Sequence, residues 1–152
     1  MDFTDLSKAC PKDSFPVPRI DQLVDATYGH SRISSLDAFH GYYQILVVLP
    51  DQEKITFLTP TGNYHYRVMP FELRNSRSRY QRMVTRMFEN QLGKNVEAYI
   101  DDMVVKSIEK TDHLLDLGKI FAILKMHKLC LNAFKCFFGV GFGKLLGYMI
   151  TH

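Results

Sequence analysis

The chain has 152 residues, of which 46% are hydrophobic and 23% charged, enough apolar material for one core with an ordinary globular surface. Its formal charge of +3 permits a nucleic-acid partner without demanding one. No basic-then-apolar leader opens the chain and no apolar run reaches the roughly 18 residues needed to cross a bilayer. The three cysteines, Cys10, Cys130 and Cys136, match no zinc spacing. The expectation is a protein of a reducing compartment with no membrane partner.

Residues 10–20 carry Pro11, Pro16 and Pro18. Proline removes donors and restrains its predecessor, so this stretch is extended or turn-like. Residues 21–27 read as a short helix with Leu23, Val24 and Ala26 inward. Residues 33–38 read as a buried strand ended by a bend at Gly41. Residues 45–49 are apolar throughout, a further strand that stops at the turn signal Pro50-Asp51. Residues 54–59 and 64–69 flank Pro60-Thr61-Gly62-Asn63, a hairpin signature. Residues 75–91 form the clearest helix, because Tyr80, Met83, Val84, Met87 and Phe88 recur at intervals of three and four. Asn75 or Ser76 can cap it, and Gly93 can end it.

Two apolar runs, 96–100 and 103–105, enclose Asp101-Asp102. A second helix is expected over 108–128, with Leu114, Leu117, Phe121 and Leu124 as its stripe and lysines near its end, where the macrodipole favours them. Strands over 135–140 and 144–151 close the chain. Hairpins imply antiparallel pairing, so the fold class is α+β: an antiparallel sheet with helices packed on one face. The chain opens without a lead-in and stops just after its last strand, as a fragment of a larger protein would.

Asp101-Asp102 between two strands has two readings. Aspartates make good turns. Two adjacent carboxylates also repel by roughly 4 kcal/mol at about 4 Å and an effective dielectric of 20, a cost that a divalent cation removes. Magnesium binds one or two carboxylates and keeps its other positions for water and phosphate. Two-metal phosphoryl or nucleotidyl transfer needs carboxylates from separate segments. Asp37 is the natural third ligand, since an unpaired charge near the end of a buried strand is expensive. The spacing does not itself bring Asp37 to Asp101.

Several motifs supply that link. Tyr99-Ile100-Asp101-Asp102 is similar to the signature turn of reverse transcriptases. The stretch 35–45, Ser-Leu-Asp-Ala-Phe-His-Gly-Tyr-Tyr-Gln-Ile, resembles the first catalytic motif of gypsy-type long-terminal-repeat retrotransposons. Phe15-Pro16-Val17-Pro18-Arg19-Ile20-Asp21 resembles the segment that precedes it there. Phe57-Leu58-Thr59-Pro60-Thr61-Gly62, then Tyr66-Arg67-Val68-Met69-Pro70-Phe71, then Tyr80-Gln81, follow in the family's order. Leu145-Leu146-Gly147-Tyr148 resembles its primer grip. The likeness runs end to end, with plant elements looking most similar.

The resemblance implies a polymerase palm with part of the fingers, residues 1–152 forming one partial reverse transcriptase domain of a Pol polyprotein. The upstream fingers, thumb, connection and RNase H regions are expected to lie elsewhere. It implies an RNA-directed DNA polymerase that joins a deoxynucleoside triphosphate to a primer 3′-hydroxyl on an RNA or DNA template. Asp37, Asp101 and Asp102 would hold two Mg2+ ions, with Mn2+ as a substitute. Ala38, His40, Gly41, Tyr42 and Phe71 would bind the nucleotide: Tyr42 as the aromatic gate under the sugar, His40 and Gly41 through backbone amides. Tyr99, Gln81, Leu146, Gly147 and Tyr148 would contact primer or template. Arg79 and Arg82, with Arg86 on the same helix face, would meet template phosphates or form a solvated outer face. The implied location is the cytoplasmic virus-like particle of a retroelement, or the nucleus.

The sequence departs from the family in four places. Glu72 stands where the family has glycine after Pro70-Phe71, adding bulk and negative charge beside phosphates. Residues 75–80 carry arginines where small residues are usual. Residues 46–49 lack the family's polar residues. The basic residues that grip the triphosphate precede Asp2 in the family. These departures leave two alternatives: a degenerate, catalytically inactive retroelement fragment, or a non-catalytic nucleic-acid-binding module. His30, His40, His65, His113 and His127 show no ligand spacing, so surface or helix-terminal roles are expected.

Overall fold

The computed structural model describes residues 3–141, 143–145 and 148–150. The chain begins with two short helices, α1 (Thr4–Ala9) and α2 (Ile20–Thr27), joined by the extended proline segment. Then come β1 (Arg32–Asp37), a 3-10 turn at Gly41–Gln44, and α3 (Leu49–Gln52). β2 (Thr56–Thr59) and β3 (Gly62–His65) form the expected hairpin, and α4 (Ser76–Met87) the expected helix. β4 (Val96–Tyr99), β5 (Asp102–Ser107), α5 (His113–Met126) and β6 (Phe137–Val140) follow, with a last hairpin of β7 (Gly143–Leu145) and β8 (Tyr148–Ile150). Among the described residues no helix is long and apolar enough to cross a membrane.

The central sheet runs β4-β5-β1-β6 and is antiparallel throughout. Strand pleating puts Leu36, Val96, Ala98, Met103 and Val105 on one face. There they share a core with Tyr80, Val84, Met87 and Phe88 around α4 and with Leu117, Ile120 and Leu124 of α5. The opposite face is covered differently. Lys106, almost fully buried, donates to the Ala26 carbonyl of α2 at 2.7 Å and pairs with Glu97 Oε1 at 2.7 Å. The bond to Ala26 ties α2 to β5, and the pair with Glu97 ties β5 to β4. The helices therefore do not all sit on one face: α4 and α5 do, and α2 lies behind.

Four sequence expectations shift, the first being the single strand over 144–151, where β7 and β8 pair with each other instead. Residues 45–49 form no strand. Val47 and Met69 make only two backbone bonds with the neighbouring segment, Val47 N–H to Arg67 and Met69 N–H to Ile45, and the chain turns into α3. Leu46, Val48 and Leu49 are left exposed. The α5 stripe runs through His113, Leu117, Ile120 and Leu124, while Leu114 points to solvent. Half-exposed Phe121 instead meets Phe138 of β6, ring centroids 6.1 Å apart. His113 is helix-terminal as expected, but buried rather than on the surface. Ser107 Oγ donates to Asp116 Oδ2, so it accepts from His113 Nδ1–H at 2.9 Å. Nε2 then accepts from Ser34 Oγ at 2.7 Å. Burial lowers the His113 pKa below the usual imidazole range. A neutral ring thus stitches β1, β5 and α5 together.

Candidate active site

Each carboxylate is carried by an element that the local sequence dictates. β1 is buried over Ile33–Ser35 and Leu36 and emerges at half-buried Asp37. Its antiparallel register with β5 sets Asp37 opposite Asp102. Tyr99 also pairs with Asp102 across the β4–β5 hairpin, so Ile100 and Asp101 form a two-residue loop. Such loops favour positive φ, and Ile100 adopts φ 52°. A β-branched residue there is strained. Gln81 holds the strain in place: its side-chain carbonyl accepts from Ile100 N–H at 2.7 Å and its amide donates to the Ala98 carbonyl at 3.1 Å.

Beyond β1 the chain turns sharply at His40, which adopts φ 47°, and passes under Asp101 at Gly41. A Cβ at Gly41 would lie 2.7 Å from Asp101 Oδ1 and 2.8 Å from Tyr80 OH. Only glycine allows this approach. Ala38 N–H donates to the Asp101 carbonyl at 3.2 Å, so the two acidic segments are also bonded through their backbones. Asp37, Ala38, His40, Gly41, Tyr42, Phe71 and Asp101 line one open cavity of about 370 Å³. Seven of the expected site residues thus share one cavity wall, with Asp102 opposite Asp37 in the adjoining strand.

The electrostatics follow from crowding like charges at a partly buried point. Burial pushes the Asp101 carboxyl up to about 6; the charges of Asp102 and Asp37 add to this, and the Lys135 ammonium opposes it. Asp102 is raised by burial and by Asp37, again opposed by Lys135. Tyr42 packs on Tyr80 with ring centroids 5.2 Å apart. Burial and Asp101 push its phenol up to about 12, so it is neutral at working pH.

Two buried polar atoms here, Asp101 Oδ1 and Tyr80 OH, have no hydrogen-bond partner among the described residues. An unpartnered carboxylate oxygen beside two further carboxylates suits a hard cation. Among the described residues no three His, Cys, Asp or Glu side chains, Asp37, Asp101 and Asp102 included, converge closely enough to hold a metal ion together. An ion that keeps positions for water and phosphate does not require a complete protein cage.

Other expected contacts fall elsewhere. Gln81 is 1% exposed and both ends of its amide are engaged. It braces the Ile100–Asp101 loop. Arg82 bonds Asp13 Oδ1 at 2.6 Å and lies 5.0 Å above the Phe15 ring, fastening the proline segment to α4. Arg79 reaches Asp13 only at 4.0 Å and is largely exposed. Tyr99 is half-buried at the end of β4. Leu146 and Gly147 lie outside the described residues, and Tyr148 begins β8.

The sequence reading missed the wall formed by residues 130–136. Asn132 N–H donates to the Asp37 carbonyl at 2.8 Å, and Asp37 N–H donates to Cys136 Sγ at 3.4 Å. Asn132 and Lys135 complete the cavity, with Lys135 Nζ 3.9 Å from Asp37 Oδ2. Nothing local in the sequence pairs residue 135 with residue 37; only the β1–β6 register does.

An antiparallel sheet carrying this acidic loop and strand end, backed by two helices, is the palm of a nucleic-acid polymerase with part of its fingers. The chain belongs to the reverse transcriptase (RNA-dependent DNA polymerase) family, whose pattern it matches over residues 1–150. It is 28% identical over 151 residues to the retrovirus-related Pol polyprotein from transposon 297 of Drosophila melanogaster, covering 99% of this chain and 14% of that protein. It is 30% identical to the Pol polyprotein from transposon opus of the same organism, covering 15% of it, and 27% identical to the Tf2-3 polyprotein of Schizosaccharomyces pombe, covering 11%. The chain thus spans about a seventh or less of these curated relatives. Among solved structures, the foamy viral protease-reverse transcriptase bound to an RNA/DNA hybrid superposes with a TM-score of 0.89 at 19% identity, over 99% of this chain and 20% of that one. A form of that protein bound to double-stranded DNA gives 0.90, also at 19% identity, over 99% of this chain and 26% of that one.

Proposed function

We propose that this chain is the palm-and-fingers part of an RNA-directed DNA polymerase from a gypsy-type retroelement Pol polyprotein, working in the element's cytoplasmic particle. Its substrates are deoxynucleoside triphosphates and a primer on an RNA or DNA template. The observation that carries the reading is Asp101 Oδ1, buried without a partner on a glycine-lined wall next to Asp102, which faces Asp37 across two strands. Asp37, Asp101 and Asp102 would hold Mg2+, which when bound supplies charge neutralisation and activates the primer hydroxyl.

The chain's own residues do the rest by positioning. The Tyr42 ring forms an apolar floor where a 2′-hydroxyl would meet a desolvated surface. The bend at His40 and Gly41 turns backbone toward the cavity, where a triphosphate would lie. Phe71, largely exposed on the cavity rim, offers a face to the incoming nucleotide. Primer contact by Tyr99 and the 145–148 segment, and template contact by Arg79, belong to the same proposal. The paired Arg82 and the engaged Gln81 do not.

Glu72 favours a second reading, a copy that keeps the site but turns over poorly. It is exposed and directly follows Phe71, which lines the cavity. Magnesium-dependent primer extension tests both. Asp101→Asn should reduce extension by on the order of 100- to 1,000-fold. Glu72→Gly should raise it. Undiminished extension by Asp101→Asn would sink the metal assignment, and no gain from Glu72→Gly would remove the charge argument against this copy.

A further inference from the structure

We propose that the ammonium of Lys135 is the resident counter-ion of the metal-free carboxylates and competes with the divalent cation for them. This rests on the reading of Asp37, Asp101 and Asp102 as metal ligands. The 130–136 wall is bonded to both backbone polar groups of Asp37: Asn132 N–H donates to the Asp37 carbonyl, and Asp37 N–H donates to the Cys136 side-chain Sγ. Lys135 N–H in turn donates to the Asn132 carbonyl at 3.0 Å. The Cα of Lys135 is therefore fixed relative to the acidic site.

Its side chain is not fixed. The lysine stem is flexible and here is 66% exposed, whereas the Asp37 side chain is 19% exposed. Nζ stands 3.9 Å from Asp37 Oδ2, and Lys135 lines the cavity. Among the described residues it is the cation whose charge acts on both Asp101 and Asp102. Arg77 acts on Tyr42 instead.

Three carboxylates with one monovalent partner remain under-neutralised. A divalent ion arriving there is attracted by the acids and repelled by the ammonium, so the lysine must swing outward. Its exposure means that the swing uncovers no core. Metal entry and lysine release then become one exchange. Metal affinity is weaker than the carboxylates alone would give, and the empty site is protected from its own repulsion.

The test is titration of the metal-free chain with Mn2+, read by the loss of free-ion paramagnetic resonance signal, for wild type, Lys135→Met and Lys135→Arg. Lys135→Met should tighten Mn2+ binding roughly threefold to fivefold, the worth of one exposed charge pair, and the gain should shrink as salt is raised. Lys135→Arg should match wild type. Metal-free Lys135→Met should melt below wild type, and saturating Mn2+ should close that gap. Equal or weaker Mn2+ binding by Lys135→Met would overturn the proposal while leaving the metal site intact. Absence of saturable binding by wild type would overturn the metal reading itself, and this proposal with it.

Discussion

The loop between β4 and β5 and the hairpin of β2 and β3 are both tight connections between antiparallel strands, yet they are held in opposite ways. In the first, Ile100 is forced to φ 52° and a buried glutamine bonds the loop and the adjoining strand edge. In the second, the turn at Pro60-Thr61 is held by short exposed bonds, Thr59 Oγ1 to the Gly62 carbonyl and Thr61 N–H to Thr59 Oγ1. All of β3 is exposed, and Leu58 of β2 is 82% exposed. The acidic loop is over-determined, which fits the proposed role, since misplacing a catalytic carboxylate by an ångström would cost activity steeply. The hairpin is held by this turn chemistry and by Phe57, which packs on Tyr64 and Tyr66 with ring centroids 6.1 and 5.5 Å apart.

This contrast breaks first at Gln81. Gln81→Leu keeps the volume but strands two buried groups, the Ile100 N–H and the Ala98 carbonyl. The expected loss is about 2–4 kcal/mol, since each buried unsatisfied group costs about 1–3 kcal/mol. Chemical denaturation measures it. Primer extension at a temperature where the variant stays folded should fall by about 100-fold as well. A variant that keeps full activity despite the lost stability would show that the loop needs no brace.

The next effect is the acidity of Asp101. Its folded pKa of about 6 lies above the ordinary 3.8. The folded state therefore prefers the protonated acid. That stabilisation is present in full below about 3.8 and is lost as pH rises through about 6. Asp101→Asn removes the titration. Two pKa units correspond to about 2.7 kcal/mol; solvent screening at a half-buried group reduces this to roughly 1–2 kcal/mol. At pH 8, without metal, Asp101→Asn should melt about 2–6 °C above wild type, with the curves converging near pH 4. Parallel curves across that range would remove Asp101 as the strained acid and sharpen attention on Asp102.

Much of this was legible in the sequence, and the failures have physical causes. The helix stripe of α4 and the strand–loop–strand around Asp101 are local patterns with fixed periods, and they appear where expected; the hairpin forms too, but its turn is only Pro60-Thr61 and its second strand is Gly62–His65 rather than 64–69. The glycine at 41 also falls where expected, its reason being the approach of Asp101 and Tyr80. Residues 45–49 misled because an apolar run carries no period. Ile45 and Val47 reach the core while Leu46, Val48 and Leu49 stay exposed, and the chain breaks into α3. The α5 stripe was misread by phase: leucines at 114 and 117 and Phe121 form a plausible face, but the bonds of His113 to Ser34 and Ser107 rotate the buried side onto Ile120. The family order points Gln81 toward nucleic acid, and the spacing of Arg82 with Arg79 and Arg86 points it toward phosphates or solvent; three-dimensional contacts give them Ile100, Ala98 and Asp13 as partners. Lys135 was invisible for the same reason, since its role exists only once β6 lies beside β1.

The smallest effect belongs to the hairpin. Leu58→Lys replaces an exposed leucine on β2, where the opposite residue across the strands is Asn63. Nothing apolar is uncovered and no buried group loses a partner, so the change in folding free energy should stay within about 0.5 kcal/mol. The same substitution adds a positive charge to the fingers, so affinity for a primer–template should rise slightly and that gain should vanish at high salt. Denaturant midpoints and fluorescence anisotropy of a labelled duplex at two ionic strengths separate the two effects. A stability loss above 1 kcal/mol would mean that the hairpin is packed against something in the folded chain. The division between a braced acidic loop and an exposed hairpin would then have to be redrawn.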